Sequence, residues 1–389
     1  MIPRIASTKL QELASLFKAV AVIGPRQSGK TTLVKSLFKN LPYINFENPD
    51  IRMLATDDPR GFLLKYADGA IFDEVQRVPH IFSYLQEILD NSTGRGKFIL
   101  TGSNNFLLQE NISQSLAGRV AYLRLLPFNL EELTGFYEIP DENKMILRGF
   151  YPPLYDMGIP VTDWMPNYIR TYLERDVRQI KNIADLLVFE KFMRLLSGRT
   201  GQELNYSSLS IETGVDVKTI QSWIGILESS FIIYLLRPHY RNFNKIIVKR
   251  PKLYFYDTGL ACTLLGITTT GQLENHPLRG SLFECLIVTE LIKQLTHRGK
   301  EVNLYFWRDK TGHEIDLVAE EATRLFPIEI KAGKTLHSEF YKNLLYWMKL
   351  SGETQAELIY TGELEMHRTD GINIRSWRSL SGQWTMLKM

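Results

Sequence analysis

Cysteine is nearly absent from this chain: among 389 residues only Cys262 and Cys285 carry a thiol. Neither sits at metal-ligand spacing, so a disulfide framework and a zinc site are both excluded as organising features. Long apolar runs are missing too. No stretch approaches the length of a membrane helix, and Met1-Ile2-Pro3-Arg4-Ile5-Ala6 lacks the apolar centre of a secretory leader. The expectation is a cytoplasmic protein in a reducing compartment, with no membrane partner. Charge of one sign is not in excess, with 46 basic residues against 43 acidic ones and a net charge of +3. Overall charge therefore names no nucleic-acid partner and leaves only local basic patches. Repeats, low-complexity tracts and long linkers are also lacking, which predicts two or three closely packed domains.

What is present is concentrated in short motifs. Gly24-Pro25-Arg26-Gln27-Ser28-Gly29-Lys30-Thr31 fits the phosphate-binding pattern G-x-x-x-x-G-K-[ST] at every fixed position. The apolar run Ala19 to Ile23 reads as a buried strand leading in. Thr32 to Lys39 has the apolar spacing of a helix leading out. Strand, loop and helix N-terminus together gather backbone N–H groups around an anion. Lys30 is expected on the β and γ phosphates of ATP, the Thr31 hydroxyl on Mg²⁺, and Gly24, Arg26, Gln27, Ser28, Gly29 and Thr32 around the nucleotide. Ala70-Ile71-Phe72-Asp73-Glu74 supplies the matching acids: Asp73 to hold the metal and Glu74 to deprotonate the attacking water. A third strand, Lys97 to Thr101, ends in Gly102-Ser103-Asn104, where Asn104, ahead of Ser103, is the candidate γ-phosphate sensor. Tyr43 to Phe46 and Val120 to Leu126 complete a parallel sheet over residues 1–135. Arg119 is the candidate for charge compensation in the transition state, donated by a neighbouring subunit of a homo-oligomer, with Arg26 a second candidate.

Together with Phe72-Asp73-Glu74-Val75-Gln76, Leu100-Thr101-Gly102-Ser103 and Leu116-Ala117-Gly118-Arg119, the loop resembles a prokaryotic family of AAA+ ATPases. The resemblance runs along nearly the whole chain, through Tyr168-Ile169-Arg170-Thr171-Tyr172-Leu173-Glu174-Arg175-Asp176-Val177 and Leu253-Tyr254-Phe255-Tyr256-Asp257-Thr258-Gly259-Leu260. It implies an intracellular AAA-type ATPase with a C-terminal region of largely unassigned function and no settled substrate.

Residues 136–200 read as a helical lid or linker, with Tyr168 to Ile180 as the clearest helix and Glu174, Arg175, Asp176 and Arg178 on its solvated or interdomain face. Residues 201–260 predict a winged helix: a helix from Ser207 to Thr213, a turn at Gly214, a second helix from Val217 to Ser229 capped by Asp216, then strands over Phe231–Leu236 and Ile246–Phe255. Lys218, Thr219, Gln221 and Ser222 would face a DNA groove, and Arg241, Lys245, Lys249 and Arg250 its phosphates. The bland alternative is a winged helix used only for packing.

Residues 261–389 carry a second acidic constellation. Asp316 lies in a strand from Gly312 to Ala319, and Glu329 and Lys331 project to one face of the next strand. Asp…Glu-x-Lys on two strands resembles the PD-(D/E)xK nuclease core, although Asp316 lacks the usual preceding proline. Glu284, on a helix from Gly280 to Leu291, is the expected helix acid, with Glu290 an outside alternative. Glu284, Asp316 and Glu329 would hold Mg²⁺, with Lys331 stabilising charge. Trp307 and Arg308 suit core and rim. The fold class is thus α/β: a P-loop sheet, a helical and winged-helix region, and a restriction-endonuclease-like domain. Three functions follow: an ATP-driven DNA-processing protein, an ATP-dependent switch or scaffold with a silent nuclease fold, and a signalling ATPase of a defence or toxin system.

Overall fold

The computed structural model describes residues 2–91, 94–102, 116–172, 185–240, 248–382 and 384. The apolar runs read from the sequence become strands β1 (Ala19–Ile23), β2 (Tyr43–Asn45), β3 (Ala70–Asp73), β4 (Phe98–Gly102) and β5 (Val120–Arg124). They form a wholly parallel sheet in the order β2-β3-β4-β1-β5, with β1, β3 and β4 buried on both faces and β2 and β5 at its edges. Such a sheet must be covered on both sides. The helices Ala6–Leu16 and Lys30–Leu37 cover one face, where Leu10, Leu33 and Val34 meet Val20, Val22 and Ile99. The helices Pro49–Asp57, Pro59–Leu64 and Ile81–Asn91 close the other face, where Ala55, Phe62 and Leu85 join the core with Phe72, Phe98 and Leu100. Because all five strands run the same way, the C-terminal ends of β1, β3 and β4 lie at one edge.

The middle of the chain is helical, with Glu142–Arg148, Pro153–Asp156, Val161–Tyr172 and Leu186–Ser197. The third of these begins earlier than Tyr168, because Trp164 and Met165 supply its apolar stripe and stack or bury beside Tyr168. The acids and arginines at 174–178 lie outside the described residues.

Two helices form in the region expected, Tyr206–Thr213 and Val217–Ser229, with a left-handed turn at Gly214. Asp216 caps the second helix by accepting from Lys218 and Thr219 N–H at 2.9 and 3.0 Å. Strands β6 (Ile233–Leu236) and β7 (Lys252–Phe255) then pair antiparallel. Lys218, Gln221, Ser222, Lys249 and Arg250 are exposed and Thr219 is half-buried. Arg241 and Lys245 lie outside the described residues.

The last part is a long helix, Arg279–His297, followed by a mixed six-stranded sheet. Its strands are β8 (Leu304–Arg308), β9 (Glu314–Glu321), β10 (Arg324–Lys331), β11 (Ala356–Tyr360), β12 (Met366–His367) and β13 (Ile372–Ser376), in the order β12-β13-β11-β10-β9-β8. Helix Glu339–Ser351 packs on one face through Leu344 and Trp347, joined there by the wholly buried Trp307. The other face meets the long helix, and one continuous apolar core runs from Ile2 through this sheet to Trp384. Among the described residues no helix is long and apolar enough to cross a membrane.

Candidate functional site

The phosphate loop owes its shape to its glycines. Gly24 has φ +154° and lies so close to Leu125 that a Cβ would meet that carbonyl oxygen at 2.1 Å. Gly29 takes φ +91° at the start of the following helix, and Gln27 between them is also left-handed at +61°. Alternating handedness turns successive N–H groups inward, which makes an anion-binding concavity. Lys30 is 7% exposed, and its Nζ donates to the Gly24 and Pro25 carbonyls at 2.8 Å each. Ser28 Oγ is buried and has no hydrogen-bond partner among the described residues. Arg26 is half-buried, while Gln27 and Thr32 are exposed.

Asp73 ends β3 beside this loop. Its Oδ2 accepts from the Thr31 hydroxyl at 2.9 Å and the Tyr43 hydroxyl at 2.6 Å. Its Oδ1 accepts from Thr101, at the end of β4. Thr31 and Asp73 therefore form a hydroxyl–carboxylate donor pair suited to Mg²⁺ with its water shell. Glu74, in left-handed backbone at φ +54°, accepts from Gln76 Nε2 at 2.6 Å. That bond fixes the orientation of the Glu74 carboxylate. A cavity of about 220 Å³ opens beside the loop, lined by Ile2, Pro3, Gly29, Thr32, Phe128 and Asp156 among others. Asn104 and Ser103 lie outside the described residues.

Arg119 stands elsewhere. It precedes β5, whose first residue pairs with Ala19 at the start of β1, whereas the phosphate loop follows the end of β1. A strand of this length separates the two by about 16 Å, so Arg119 cannot reach its own chain's nucleotide site. It forms an ion pair with Asp90, Nε to Oδ1 at 2.5 Å, which holds its pKa above the ordinary arginine value.

The second constellation lies on β9, β10 and the long helix. The antiparallel register pairs Ile328 with Leu317, and its continuation sets Glu329 opposite Asp316. Lys331, two residues on, shares their face. Its Nζ donates to Glu329 Oε1 at 2.6 Å and Asp316 Oδ2 at 3.3 Å, and Asp316 Oδ2 also accepts from Ile330 N–H at 2.9 Å. Burial, reinforced by Asp316, pushes the Glu329 carboxyl up to about 8, and its Oε2 has no hydrogen-bond partner. Burial works against the charge of Lys331, but Asp316 and Glu329 outweigh it and hold its pKa above the ordinary lysine value.

Glu284 is turned to other partners. Its Oε1 accepts from Lys252 Nζ at 3.0 Å and from the Tyr254 hydroxyl at 2.5 Å. Burial raises its pKa; Lys252 opposes that shift, and Asp316 adds to it. Lys252 is also paired with Glu314, which Arg308 holds at 3.2 Å. The expected three-carboxylate metal site is not formed. Among the described residues no three His, Cys, Asp or Glu side chains are grouped to hold a metal. The physical reason is that two ammonium groups already occupy oxygens a metal would need: Lys331 those of Asp316 and Glu329, and Lys252 those of Glu284 and Glu314. In this arrangement the side chains do not fit a resident Mg²⁺ ion. Glu290 belongs to neither site: its carboxylate accepts from Leu130 N–H at 2.9 Å and from Gln294.

The roles of Lys252, Tyr254, Tyr43 and Thr101 escape motif reading, although Tyr254 and Thr101 lie inside motifs that carry the family resemblance. The first two occupy alternate positions of β7, a period-2 signal that reads only as a strand. Tyr43 opens β2 and Thr101 stands one residue before the end of β4, and strand periodicity does not tell that both hydroxyls reach Asp73.

With this geometry in view, comparison with known proteins is informative at one end of the chain. Residues 16–134 match the model of an AAA domain, and this part of the chain is an AAA-like P-loop domain. Residues 139–271 and 279–380 match two domains of unknown function, DUF8612 and DUF4143. The uncharacterized protein Rv2008c of Mycobacterium tuberculosis is 29% identical over 95% of this chain and 82% of its own length. The uncharacterized protein MJ1544 of Methanocaldococcus jannaschii is 24% identical over 77% of this chain and 72% of its own. Among solved structures, the Walker-type ATPase PABY2304 of Pyrococcus abyssi superimposes with a TM-score of 0.45 and 16% identity, covering 67% of this chain and 94% of that one.

Proposed function

We propose that this chain hydrolyses ATP and couples the nucleotide state to DNA binding or processing by its C-terminal half. Hydrolysis is supported by the convergence of Lys30, Thr31, Asp73 and Glu74 at one edge of the parallel sheet. The chemistry Mg²⁺ would supply there is neutralisation of the charge that develops on the phosphates. Thr31 and Asp73 would hold it, Lys30 would leave the loop carbonyls for the phosphates, and Glu74 would take the proton of the attacking water. The 220 Å³ cavity beside the loop suits the base.

The observation that carries the DNA half of the reading is the contact of Asp316, Glu329 and Lys331 on adjacent strands, beside Glu284. That grouping is the basis for a restriction-endonuclease-like domain. The helix–turn–helix with its two-stranded hairpin, and exposed Lys218, Lys249 and Arg250, support a winged helix that contacts phosphates. The pairing of these acids with Lys331 and Lys252 favours a second reading, a switch or scaffold whose nuclease-like fold binds without cutting.

The test is binding and cleavage of duplex and single-stranded DNA by the full chain with ATP and Mg²⁺ or Mn²⁺. Lys218→Glu is expected to weaken DNA binding and flatten its salt dependence by about one unit of slope. Cleavage lost in Lys331→Ala would support processing, and binding without cleavage would support the switch. Absence of any DNA binding would remove DNA from the account.

A further inference from the structure

Arg4 belongs to no motif, yet it stands directly behind the phosphate loop. It is 8% exposed, with its guanidinium 4.9 Å from the centre of the Phe128 ring. Nη1 donates to the Ser28 carbonyl at 2.6 Å, Nη2 to the Leu126 carbonyl at 2.6 Å, and Nε to Glu132 Oε1 at 3.0 Å. Nη2 also lies 3.5 Å from His297 Nε2. A guanidinium presents its donors in one rigid plane. Three occupied directions therefore fix the three acceptors relative to one another.

The bond to Ser28 has a consequence for the nucleotide site. In a planar trans peptide the C=O of one residue and the N–H of the next point in opposite directions. Drawing the Ser28 carbonyl to the back of the loop turns the Gly29 N–H to the front. The front is the concavity that Lys30 Nζ marks by its bonds to Gly24 and Pro25. A Cβ on Gly29 would lie 3.4 Å from Arg4 Nη1, so the guanidinium is in contact with the loop itself. We propose that Arg4 is a positioning residue for the nucleotide phosphates: by holding the Ser28 carbonyl it aims the Gly29 amide at them. The assignment rests on the nucleotide-binding reading of the loop.

The other acceptors of Arg4 tie this device to the rest of the fold. Glu132 is wholly buried, also accepts from Ile5 N–H at 2.9 Å, and lies 3.5 Å from His297 Nδ1. His297 ends the long helix that carries Glu284 near its other end.

The test is calorimetric titration of the full chain with ADP. Arg4→Lys keeps a positive charge beside Glu132 but reaches fewer acceptors at once, and it is expected to weaken ADP binding at least tenfold. Glu132→Gln disturbs the same buried cluster without touching the bond to Ser28, and it is expected to stay within threefold of wild type. Equal losses in both variants would make Arg4 a fold-stabilising residue only, and an Arg4→Lys protein with wild-type affinity would overturn the proposal directly. Should Arg4→Lys not fold, the wild type labelled with ¹⁵N-glycine supplies the answer. ADP must then move the Gly29 amide resonance, and an unmoved Gly29 overturns the assignment. If the wild type binds no ADP, the nucleotide reading fails first and is distinguished in that way.

Discussion

Asp73 collects hydroxyl donors from Thr31, Tyr43 and Thr101, three separate elements that the chain order gives no reason to associate. The motif residues were legible because their chemistry is compressed into eight consecutive positions and one strand end. Arg4 was not, since its partners lie 24 to 128 positions away. Lys252 and Tyr254 were missed for the same reason, about thirty positions before Glu284. Buried side chains at this scale also set a pH response. Burial, opposed by Glu132, lowers the His297 pKa to about 4. The unfolded chain takes up that proton near pH 6.5, whereas the folded chain refuses it until about pH 4. The contribution is therefore present above pH 6.5 and lost as the pH falls through that window. At 1.36 kcal/mol per pKa unit it is on the order of 3 kcal/mol. Urea unfolding at pH 7 and pH 4.5 should show a smaller acid loss for His297→Gln than for wild type. The raised carboxyl of Glu290, at about 7, runs the other way but is common to both proteins.

Elements were read best where one period dominates. Strands β1, β3 and β4 fell within a residue of their expected bounds because they are buried on both faces. The long helix runs on to His297, six residues past the expected Leu291, because buried polar residues interrupt its apolar spacing. Gln294 donates to Glu290 and the Leu380 carbonyl and accepts from Trp384 N–H at 3.0 Å, so it needs no solvent. The sequence alone offers no sign that these partners exist. Asp257 works similarly at the start of helix Thr258–Leu264. It accepts from Leu260 N–H at 3.0 Å and from Phe150 N–H at 2.6 Å, fastening the lid region to the helix. Asp257→Ala leaves two buried donors unpaired and is expected to cost at least about 2 kcal/mol, read by chemical denaturation. A loss below about 0.5 kcal/mol would show that solvent replaces the cap.

Across the whole molecule the two candidate sites are joined by shared packing. The long helix touches the P-loop side through His297 and Arg298, whose guanidinium donates to both Glu131 oxygens at 2.6 and 2.7 Å. Near its start it presents Glu284 to Lys252 and Tyr254. The sequence indicated close packing, but not that one helix would serve both ends, because helix periodicity does not name its neighbours. Position also bears on Arg119: it lies at the far edge of its own sheet, so a catalytic contact, if it makes one, would be to a second copy. Arg119→Ala is expected to lower ATP hydrolysis at least 100-fold. Mixing it with a Lys30→Ala protein should restore part of the rate, and no recovery on mixing would argue against a contact in trans.

The central claim is ATP hydrolysis coupled to DNA, and one measurement meets it: the steady-state rate of phosphate release by the full chain, with and without duplex DNA. Wild type should hydrolyse ATP and respond to DNA by at least threefold in either direction. Lys30→Ala should be inactive under both conditions. Hydrolysis that ignores DNA would leave the ATPase and contradict the coupling, and a Lys30→Ala rate equal to wild type would contradict the nucleotide site itself.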